Sequence, residues 1–545
     1  MKTLFNIKIN IKTVLLILFS FNLFAISTLN AAVVLLPPIV GSATSINSKG
    51  FTANWTPVIN ATGYTVKIYW GTTCIDSVNV SGQISSSAVC TNLVPNTTFS
   101  YKVIARGDVL NYLDSPLSAS SNNFTLLTAT IPTNKLKIIL KLDDFIMSGY
   151  ALPELDYLKV NSIKFGLGVV TKSMTSSSLT TLSPYIFATN SNGDSLIEVW
   201  HHGLDHSYNS TTGIYEFKNS PYADQKLHFD SANAMVKRIL GIQMHSFGTP
   251  YNNSDANTNT VLLTNPNYKV FMLSQVTSTN NGIFYMNNLV PMEQSAGIPV
   301  YKLFVANYLS KKSTYLDYMM LQGHPNSYTP TPAYFDQFKL IVQFLISEGV
   351  EFVRPYDYYR FLSLKAPSNL TVITNGMNSN SLSWTDNSTT ENSFIIERST
   401  DSINWTKIGT TPANVSTFVD NLPLSVSPCY YRVCANCGIK SDYSNVYKIY
   451  NLTALDGEPL NKKDVEIYQI SDKIAVNGLL TGGETFHFDL LDLSGKKVIK
   501  TYTGYIQNEQ FKFEVSVDGL FSGIYICRLQ SNKDTVVRKI VIAKG

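Results

Sequence analysis

The sequence predicts a multidomain protein in which a central α/β domain stands between all-β domains. Its 545 residues are too many for one hydrophobic core, and chain length alone suggests about three or four domains. In residues 135–363, uninterrupted apolar runs alternate with longer segments of helical spacing, a pattern typical of a parallel sheet covered by helices. On either side, short β-type runs alternate with polar turns, as in antiparallel β-sandwiches.

Residues 1–32 have the pattern of a secretory signal peptide. Lys2, Lys8 and Lys12 precede an apolar run over 14–26, which is followed by the small residues around Ala31. No later segment offers the ~20 continuous apolar residues that a membrane-spanning helix needs. We therefore expect an exported protein, secreted or attached to the cell surface, with no transmembrane segment in the mature chain.

The charge pattern argues against nucleic-acid and membrane partners. Charged residues make up 15% of the chain, and the net charge of +4 is spread without a basic block. The six cysteines lie outside the histidine-rich middle of the chain, so none is expected to bind a metal there. In an exported protein we expect a disulfide between Cys74 and Cys90, and a second one within the group Cys429, Cys434 and Cys437.

Two regions of alternating β-type runs predict similar sandwiches, over residues 33–130 and 366–450. In the first, the segment 93–101 and Trp55 resemble the tyrosine corner and the buried early-strand tryptophan of a fibronectin type III domain. The second repeats the plan, with Trp384 in the equivalent early strand. The linkers near 128–134 and 364–369 are short, polar and proline-bearing, as expected at domain boundaries.

Seven apolar runs are the candidate strands of the central domain. They cover residues 137–142, 163–170, 196–200, 241–244, 270–273, 319–321 and 350–353. Helical spacing predicts helices over 223–240 and 333–348. In a barrel of such β/α units, reactive side chains gather where the strands end.

Polar side chains follow four of these strands. Asp143 and Asp144 close the first, His202 and His206 follow the third, the segment 247–252 follows the fourth, and His324 follows the sixth. Taken alone, an acid pair is more often a capped turn, and a lone histidine is more often structural. Because all four lie at strand ends, we expect them to meet at a common mouth.

The spacing of His202 and His206 favours a metal site. A separation of four places two imidazoles on one face of a helical turn. Completed by a carboxylate, they suit zinc or a similar divalent ion and leave room for water. His201 lies out of step with this pair, so we expect it to serve in packing or to support the metal ligands from behind.

Residues 135–363 resemble the NodB-homology domain of polysaccharide deacetylases, carbohydrate esterase family four. The resemblance rests on the Asp143-Asp144 pair, the run 198–206, the segment 247–252 and His324. It implies a distorted (β/α) barrel and the hydrolysis of an acetamide or acetate ester of a carbohydrate. The metal implied is a divalent ion such as Zn²⁺, with Co²⁺ or Ni²⁺ as alternatives.

The resemblance also implies a role for each site residue. Asp143 would be the general base, and Asp144, His202 and His206 would bind the metal. The remaining roles would fall to His324 as general acid and to the backbone N–H of Tyr251 in the oxyanion hole.

Three positions differ from the family pattern. Gly248 stands where the family has an arginine that orients the base, and Phe145 replaces a glycine after the acid pair. Between residues 270 and 321 the sequence shows neither the acid nor the tryptophan that normally supports the last histidine.

Residues 460–545 again have β-type runs and resemble the C-terminal sorting domain of proteins exported by the type IX secretion system of Bacteroidota. The resemblance implies that the secretion machinery is a partner and that the protein crosses the periplasm to the cell surface or the medium.

These observations predict an exported, metal-dependent deacetylase that removes N-acetyl or O-acetyl groups from a polysaccharide or oligosaccharide. An alternative is a catalytically impaired surface protein that binds glycans through the same fold. A third interpretation is an adhesion or matrix protein in which the sandwiches carry the function.

Overall fold

The protein is described by a computed structural model covering residues 32–133, 136–146, 151–275, 282–374, 379–421, 429–449, 465–470, 472–479, 485–493, 502–505, 510–531 and 535–542. It divides into two compact units, residues 1–188 with 196–352, and residues 189–195 with 353–545. The predicted signal peptide lies outside the described residues apart from Ala32. Across the described ranges no helix is both long and apolar enough to cross a membrane.

The first unit begins with a β-sandwich. One sheet has the order β4-β3-β6-β8, and β2 pairs with β5 in the other. Tyr101 is fully buried, and its hydroxyl donates to the carbonyl of Gly41, 60 residues away, at 2.8 Å. The strands are β1 (Val33–Val34), β2 (Phe51–Asn54), β3 (Gly63–Trp70), β4 (Thr73–Ser81), β5 (Ser87–Cys90), β6 (Thr98–Arg106), β7 (Tyr112–Leu113) and β8 (Phe124–Thr125).

A parallel sheet forms the centre of the first unit. Its order is β16-β15-β14-β11-β10-β9-β17, with β18 beside β9, and every pairing is parallel. The strands of this region, including a small hairpin of β12 and β13, are β9 (Lys137–Phe145), β10 (Phe165–Val169), β11 (Ile197–His201), β12 (Tyr208–Asn209), β13 (Ile214–Tyr215), β14 (Ser246–Phe247), β15 (Val270–Met272), β16 (Phe284–Met286), β17 (Tyr318–Gly323) and β18 (Glu351–Phe352).

The sheet curls towards a barrel. The carbonyl of Asn288, just after the edge strand β16, accepts a hydrogen bond from the N–H of Met320 in the opposite edge strand β17. Val290 donates back to the carbonyl of Met320 at 2.9 Å. The predicted fold class, a distorted barrel of β/α units between β-sandwiches, is therefore confirmed by the strand order itself.

Helices connect the parallel strands. They are α1 (Leu152–Val160), α2 (Ser178–Ile186), α3 (Tyr222–Leu240), α4 (Ala256–Leu263), α5 (Tyr301–Lys311) and α6 (Pro332–Ser347). The predicted helices over 223–240 and 333–348 correspond to α3 and α6. Helix α3 ends at Gly241, which has a left-handed backbone with φ 71°. Because the chain is still turning there, the predicted strand over 241–244 is wrong, and β14 begins only at Ser246.

The sandwich and the α/β domain are joined by polar contacts within this unit. Lys302 pairs with Asp76 at 2.7 Å, and Lys49 pairs with Glu348 at 3.0 Å. The side-chain amide of Gln337 donates to the carbonyl of Cys74 at 3.0 Å. These contacts hold the sandwich against helices α5 and α6.

The second unit contains a helix, α7 (Pro355–Phe361), and two further pairs of antiparallel sheets. The first pair has the orders β19-β20-β23 and β22-β21-β24-β25, and the second has β27-β28-β31 and β30-β29-β32-β33. The strands are β19 (Ser368–Thr374), β20 (Asn380–Thr385), β21 (Ser393–Ser399), β22 (Thr406–Pro412), β23 (Thr417–Asp420), β24 (Cys429–Asn436), β25 (Lys440–Tyr443), β26 (Tyr447–Ile449), β27 (Val465–Ile470), β28 (Lys473–Leu479), β29 (Thr485–Leu491), β30 (Tyr502–Tyr505), β31 (Gln510–Ser516), β32 (Gly523–Ser531) and β33 (Thr535–Ile542).

The predicted disulfides are wrong. All six cysteines are free, including Cys429, Cys434 and Cys437. Cys74 lies exposed on β4, whereas Cys90 is buried on β5, which belongs to the other sheet of the sandwich.

Candidate metal centre

The ends of β9 and β11 bring one carboxylate and two imidazoles together. The Nε2 atoms of His202 and His206 lie 2.8 and 2.9 Å from the same oxygen, Oδ1 of Asp144. Atoms able to bind a metal on these three residues all lie within 4.8 Å of one another. The structure thus brings together the three predicted metal ligands.

The hydrogen bonds of His202 show what this cluster is suited to hold. Its Nδ1 lies 2.8 Å from the carbonyl oxygen of Gly248, which can only accept, so Nδ1 carries the proton. In a neutral imidazole, Nε2 then presents a lone pair to a carboxylate oxygen 2.8 Å away. Two acceptors at this distance need a cation or an added proton between them. A carbonyl behind an imidazole is also the usual support of a histidine that binds metal.

The charges of the cluster stabilise one another. Burial by itself raises the pKa of Asp144, but the hydrogen bonds from His202 and His206 outweigh it and hold that pKa below the usual value. Burial lowers the pKa of His206, and the Asp144 carboxylate outweighs it, so the net pKa is raised. The site therefore favours an ionised carboxylate facing positive charge, which a divalent ion would also satisfy.

A β-bulge gives the two acids different environments. Leu142 pairs with Leu167 and Phe145 with Val169, so two residues of β9 oppose one residue of β10. Asp143 is 1% exposed, whereas the side chain of Asp144 is 37% exposed. The backbone of Asp144 is left-handed, with φ 57°. Left-handed backbone is unfavourable for a non-glycine residue and clusters at functional sites.

Asp143 is held by one of its two carboxylate oxygens. Its Oδ2 accepts hydrogen bonds from the ammonium of Lys141 and from Nε2 of Gln322, the latter at 2.7 Å. Oδ1 is buried and has no hydrogen-bond partner among the residues that the structure describes. The same residue lies next to the metal cluster, with its Oδ2 3.9 Å from Nε2 of His202. One oxygen of Asp143 is therefore fixed by hydrogen bonds, whereas the lone pairs of the buried Oδ1 are unpaired within the described part of the chain.

Lys141 occupies the space beside Gly248. It is fully buried, and its ammonium lies 4.8 Å from the ring centre of Trp200. A Cβ atom at Gly248 would lie 3.0 Å from Trp200 and 3.3 Å from Cε of Lys141. A long side chain at position 248 would therefore compete with the lysine. In this protein a buried cation therefore reaches the carboxylate of Asp143 from β9.

His324 has an acidic partner that the sequence analysis did not find. Its Nδ1 lies 2.6 Å from Oε2 of Glu293, and its backbone N–H donates to Oε1 at 2.9 Å. The hydroxyl of Tyr328 donates to the same carboxylate. The expectation that no acid between residues 270 and 321 supports this histidine is therefore wrong.

His324 reaches the metal cluster from β17. Its Nε2 lies 3.9 Å from Oδ2 of Asp144. Burial lowers the pKa of His324, and the hydrogen bond to Glu293 outweighs it, so the net pKa is raised. The glutamate thus orients the ring and favours its protonated form.

Tyr251 follows β14 at the mouth of the site. Its backbone is left-handed, with φ 58°, and its ring lies 4.4 Å from the ring of His206. The ring is 49% exposed. Its predicted role concerns the backbone N–H, and the strained turn that presents this group is consistent with a functional constraint.

A second acidic group, Asp205, Glu216 and His228, lies behind the loop of His206. Glu216 accepts hydrogen bonds from the backbone N–H of Leu204 at 2.5 Å and from that of His206 at 2.8 Å. Its Oε1 also lies 3.2 Å from Nδ1 of His228. Because Glu216 already binds the loop, we assign it to positioning His206.

His201 packs inside the domain, as expected. It is fully buried and stacks on Phe229 with ring centres 4.8 Å apart. Its Nε2 donates to the carbonyl of Phe229 at 3.2 Å, and burial lowers its pKa to about 4. It therefore stays neutral and does not face the metal cluster.

One family model and several solved structures are similar to parts of this chain. The family model described as a secretion system C-terminal sorting domain matches residues 461–543, so the chain ends in a sorting domain as predicted. No curated protein matches the chain significantly.

Solved structures match parts of the chain at low identity. One is a family 4 acetyl xylan esterase from Clostridium thermocellum with a cobalt ion, 15% identical, covering 41% of this chain and 90% of its own, with a TM-score of 0.30. Another is a carbohydrate esterase family 4 pseudoenzyme from Bacillus anthracis, 11% identical, covering 42% and 66%, with a TM-score of 0.28. A fibronectin type III-like protein from Clostridium thermocellum is 23% identical and covers 16% and 91%, with a TM-score of 0.14. Values this low establish nothing about the chemistry of this chain.

Proposed function

We propose that this protein is an exported, metal-dependent deacetylase that hydrolyses N-acetyl or O-acetyl groups of a polysaccharide. One observation supports the proposal most strongly: the imidazoles of His202 and His206 converge on a single oxygen of Asp144, beside an acid with one free oxygen. Two imidazoles and a carboxylate match the ligands of catalytic zinc sites, and Co²⁺ or Ni²⁺ would also suit them.

Asp144, His202 and His206 would hold the metal. When bound, a divalent ion supplies Lewis acidity, polarising the acetyl carbonyl and lowering the pKa of water. Neighbouring groups already fix two of the ligands, because Gly248 accepts from His202 and Glu216 binds the loop of His206.

The remaining residues would transfer protons and stabilise developing charge. Asp143 would take a proton from the attacking water through Oδ1, while Lys141 and Gln322 hold Oδ2. The backbone N–H of Tyr251 would donate to the carbonyl oxygen as it gains negative charge. His324, held by Glu293, would protonate the sugar nitrogen or oxygen that leaves as the bond to the acetyl carbon breaks.

A glycan-binding protein without activity is the less favoured alternative. This alternative is suggested mainly by Gly248, which stands where the resembling family has an arginine. Because Lys141 brings a buried cation to the same carboxylate, the substitution at Gly248 does not leave the base without support.

The sorting domain supports delivery by the type IX secretion system to the cell surface or the medium. At that location, outside the cell, the protein would encounter a polysaccharide substrate.

The proposal is tested by metal content and acetate release from the purified full chain. We expect about one metal ion per chain and release of acetate from an acetylated oligosaccharide. His202→Ala should lose the metal, whereas Asp143→Asn should keep the metal and lose hydrolysis. Stoichiometric zinc in the His202→Ala protein would contradict the ligand assignment, and full hydrolysis by Asp143→Asn would contradict the role of the base.

A further inference from the structure

Three tyrosines, two exposed and one half-buried, lie together next to the metal cluster. Tyr208 and Tyr215 face each other across the β12–β13 hairpin, and their rings stack at 4.3 Å with an interplanar angle of 21°. The ring of Tyr251 lies 5.7 Å from Tyr208 and 5.5 Å from Tyr215. We call these three residues the tyrosine shelf.

The shelf leaves aromatic surface open to solvent. Tyr208 is 45% exposed and Tyr251 is 49% exposed. Single exposed apolar residues are common, but aromatic rings in mutual contact with open faces are typical of a binding surface. Such faces offer a flat, uncharged contact with a polar hydroxyl at one edge.

The shelf is continuous with the metal cluster. Tyr251 touches His206, with ring centres 4.4 Å apart, and Tyr208 lies one ring further out. A molecule lying on the shelf would therefore extend from the acetyl group at the metal towards solvent.

Hydrogen bonds hold the β12–β13 hairpin, which carries Tyr208 and Tyr215, in place. Glu216, which holds the loop of His206, also donates its backbone N–H to the carbonyl of Ser207 at 3.0 Å. At the tip, the side-chain oxygen of Asn209 accepts from the N–H of Thr211 at 3.0 Å. Because the same glutamate holds both the metal loop and the hairpin, the shelf is preorganised relative to the metal cluster.

From these observations we infer that the tyrosine shelf binds the sugar ring next to the acetylated one, in a glycan of pyranoses with equatorial substituents. This inference rests on the proposed deacetylase function and extends it to the substrate class. Pyranoses with equatorial substituents expose flat C–H faces, which match open aromatic rings. The substrate is therefore an oligomer, and a single acetylated sugar leaves the shelf uncovered.

The test compares a long and a short substrate in the metal-loaded full chain. Acetate release is measured with the tetramer of N-acetylglucosamine, with acetylated xylotetraose and with 4-nitrophenyl acetate, which is too small to cover the shelf. Tyr208→Ala should lower the ratio of kcat/KM for the preferred tetramer to that for the aryl acetate by roughly three- to tenfold. Tyr208→Phe should keep the wild-type ratio, because stacking needs only the ring.

Tyr222→Ala is the matched control, since Tyr222 is 40% exposed at the start of α3. It should keep the wild-type ratio. An unchanged ratio in Tyr208→Ala, or an equal loss in Tyr208→Phe, would overturn the inference.

The two proposals fail separately. If the wild-type protein releases no acetate from any substrate, the deacetylase proposal fails. The shelf is then tested by titrating either tetramer, without acetate release, into the Asp143→Asn protein and into the same protein carrying Tyr208→Ala. Binding weakened by roughly three- to tenfold supports the shelf, and no binding or equal binding overturns it.

Discussion

Replacing Lys141 by methionine should unfold the α/β domain at a markedly lower temperature. Both partners of the Lys141–Asp143 pair are buried, at 0% and 1% exposure. Removing one partner of a buried ion pair costs about 3–5 kcal/mol, because the other charge is left without compensation. For a domain of this size, that corresponds to a fall of roughly 6–20 °C in the unfolding midpoint.

The double variant Lys141→Met with Asp143→Asn separates charge from packing. It removes both charges, so we expect most of the lost stability to return. Methionine is soft and flexible enough to pack against Trp200 in place of the lysine stem. The assay is differential scanning calorimetry of the metal-free full chain, with the wild type and both single variants completing the cycle.

The same substitution should reduce catalysis. With Lys141 gone, Asp143 keeps only the hydrogen bond from Gln322, and a small misplacement of a reacting group can cost about 100-fold in rate. Metal content should stay as in the wild type, since Lys141 is not a ligand. A Lys141→Met protein with wild-type stability, or a double variant no more stable than it, would refute the compensation argument.

Three further predictions concern buried glutamates. Glu293→Gln should lower kcat by roughly 10- to 100-fold with unchanged metal content, because His324 loses its charged partner; an unchanged kcat would contradict this. Glu216→Gln should weaken metal affinity by roughly 10- to 100-fold in a chelator competition, since an amide cannot accept at both atoms from the loop of His206; wild-type affinity would remove its positioning role. Burial raises the pKa of Glu154 from 4.5 to about 7, so its ionisation costs stability above pH 7 and costs nothing below pH 4.5. Glu154→Gln should therefore gain stability over the wild type as the pH rises from 5 to 8, by at most about 3 kcal/mol, and a constant difference in calorimetry would contradict the shift.

The sequence predicted the parallel sheet because its longer strands are buried on both faces. Strands β9, β10, β11 and β17 lie in or overlap uninterrupted apolar runs. The same reasoning failed for β14 and β16, which have two and three residues. Runs this short carry no periodicity, and their pairing is decided by their neighbours in the sheet.

Site residues that follow one another closely were predictable, and those joined only by tertiary structure were not. His202 and His206 have a spacing that suggests shared coordination, but the predicted helical turn is wrong, because the chain bends between them and His206 has a left-handed backbone with φ 56°. Gln322 becomes a neighbour of Lys141 only when β17 pairs with β9. Glu293 reaches His324 from a loop 31 residues away. One signal was available, because a lysine inside an otherwise apolar strand, two residues before an acid, needs a partner.

Under the proposed mechanism, Lys141 takes the role that the resemblance assigns to an arginine at the position of Gly248. That mechanism requires a buried cation at Oδ2 of Asp143, and neighbouring parallel strands offer more than one position from which a long side chain can reach it. Lysine on β9 requires space beside β14, so the small residue at position 248 is a condition of the new arrangement rather than a gap in the old one. Since Lys141 is held against Trp200 and Asp143 at once, the support of the base and the packing of the domain depend on the same side chain.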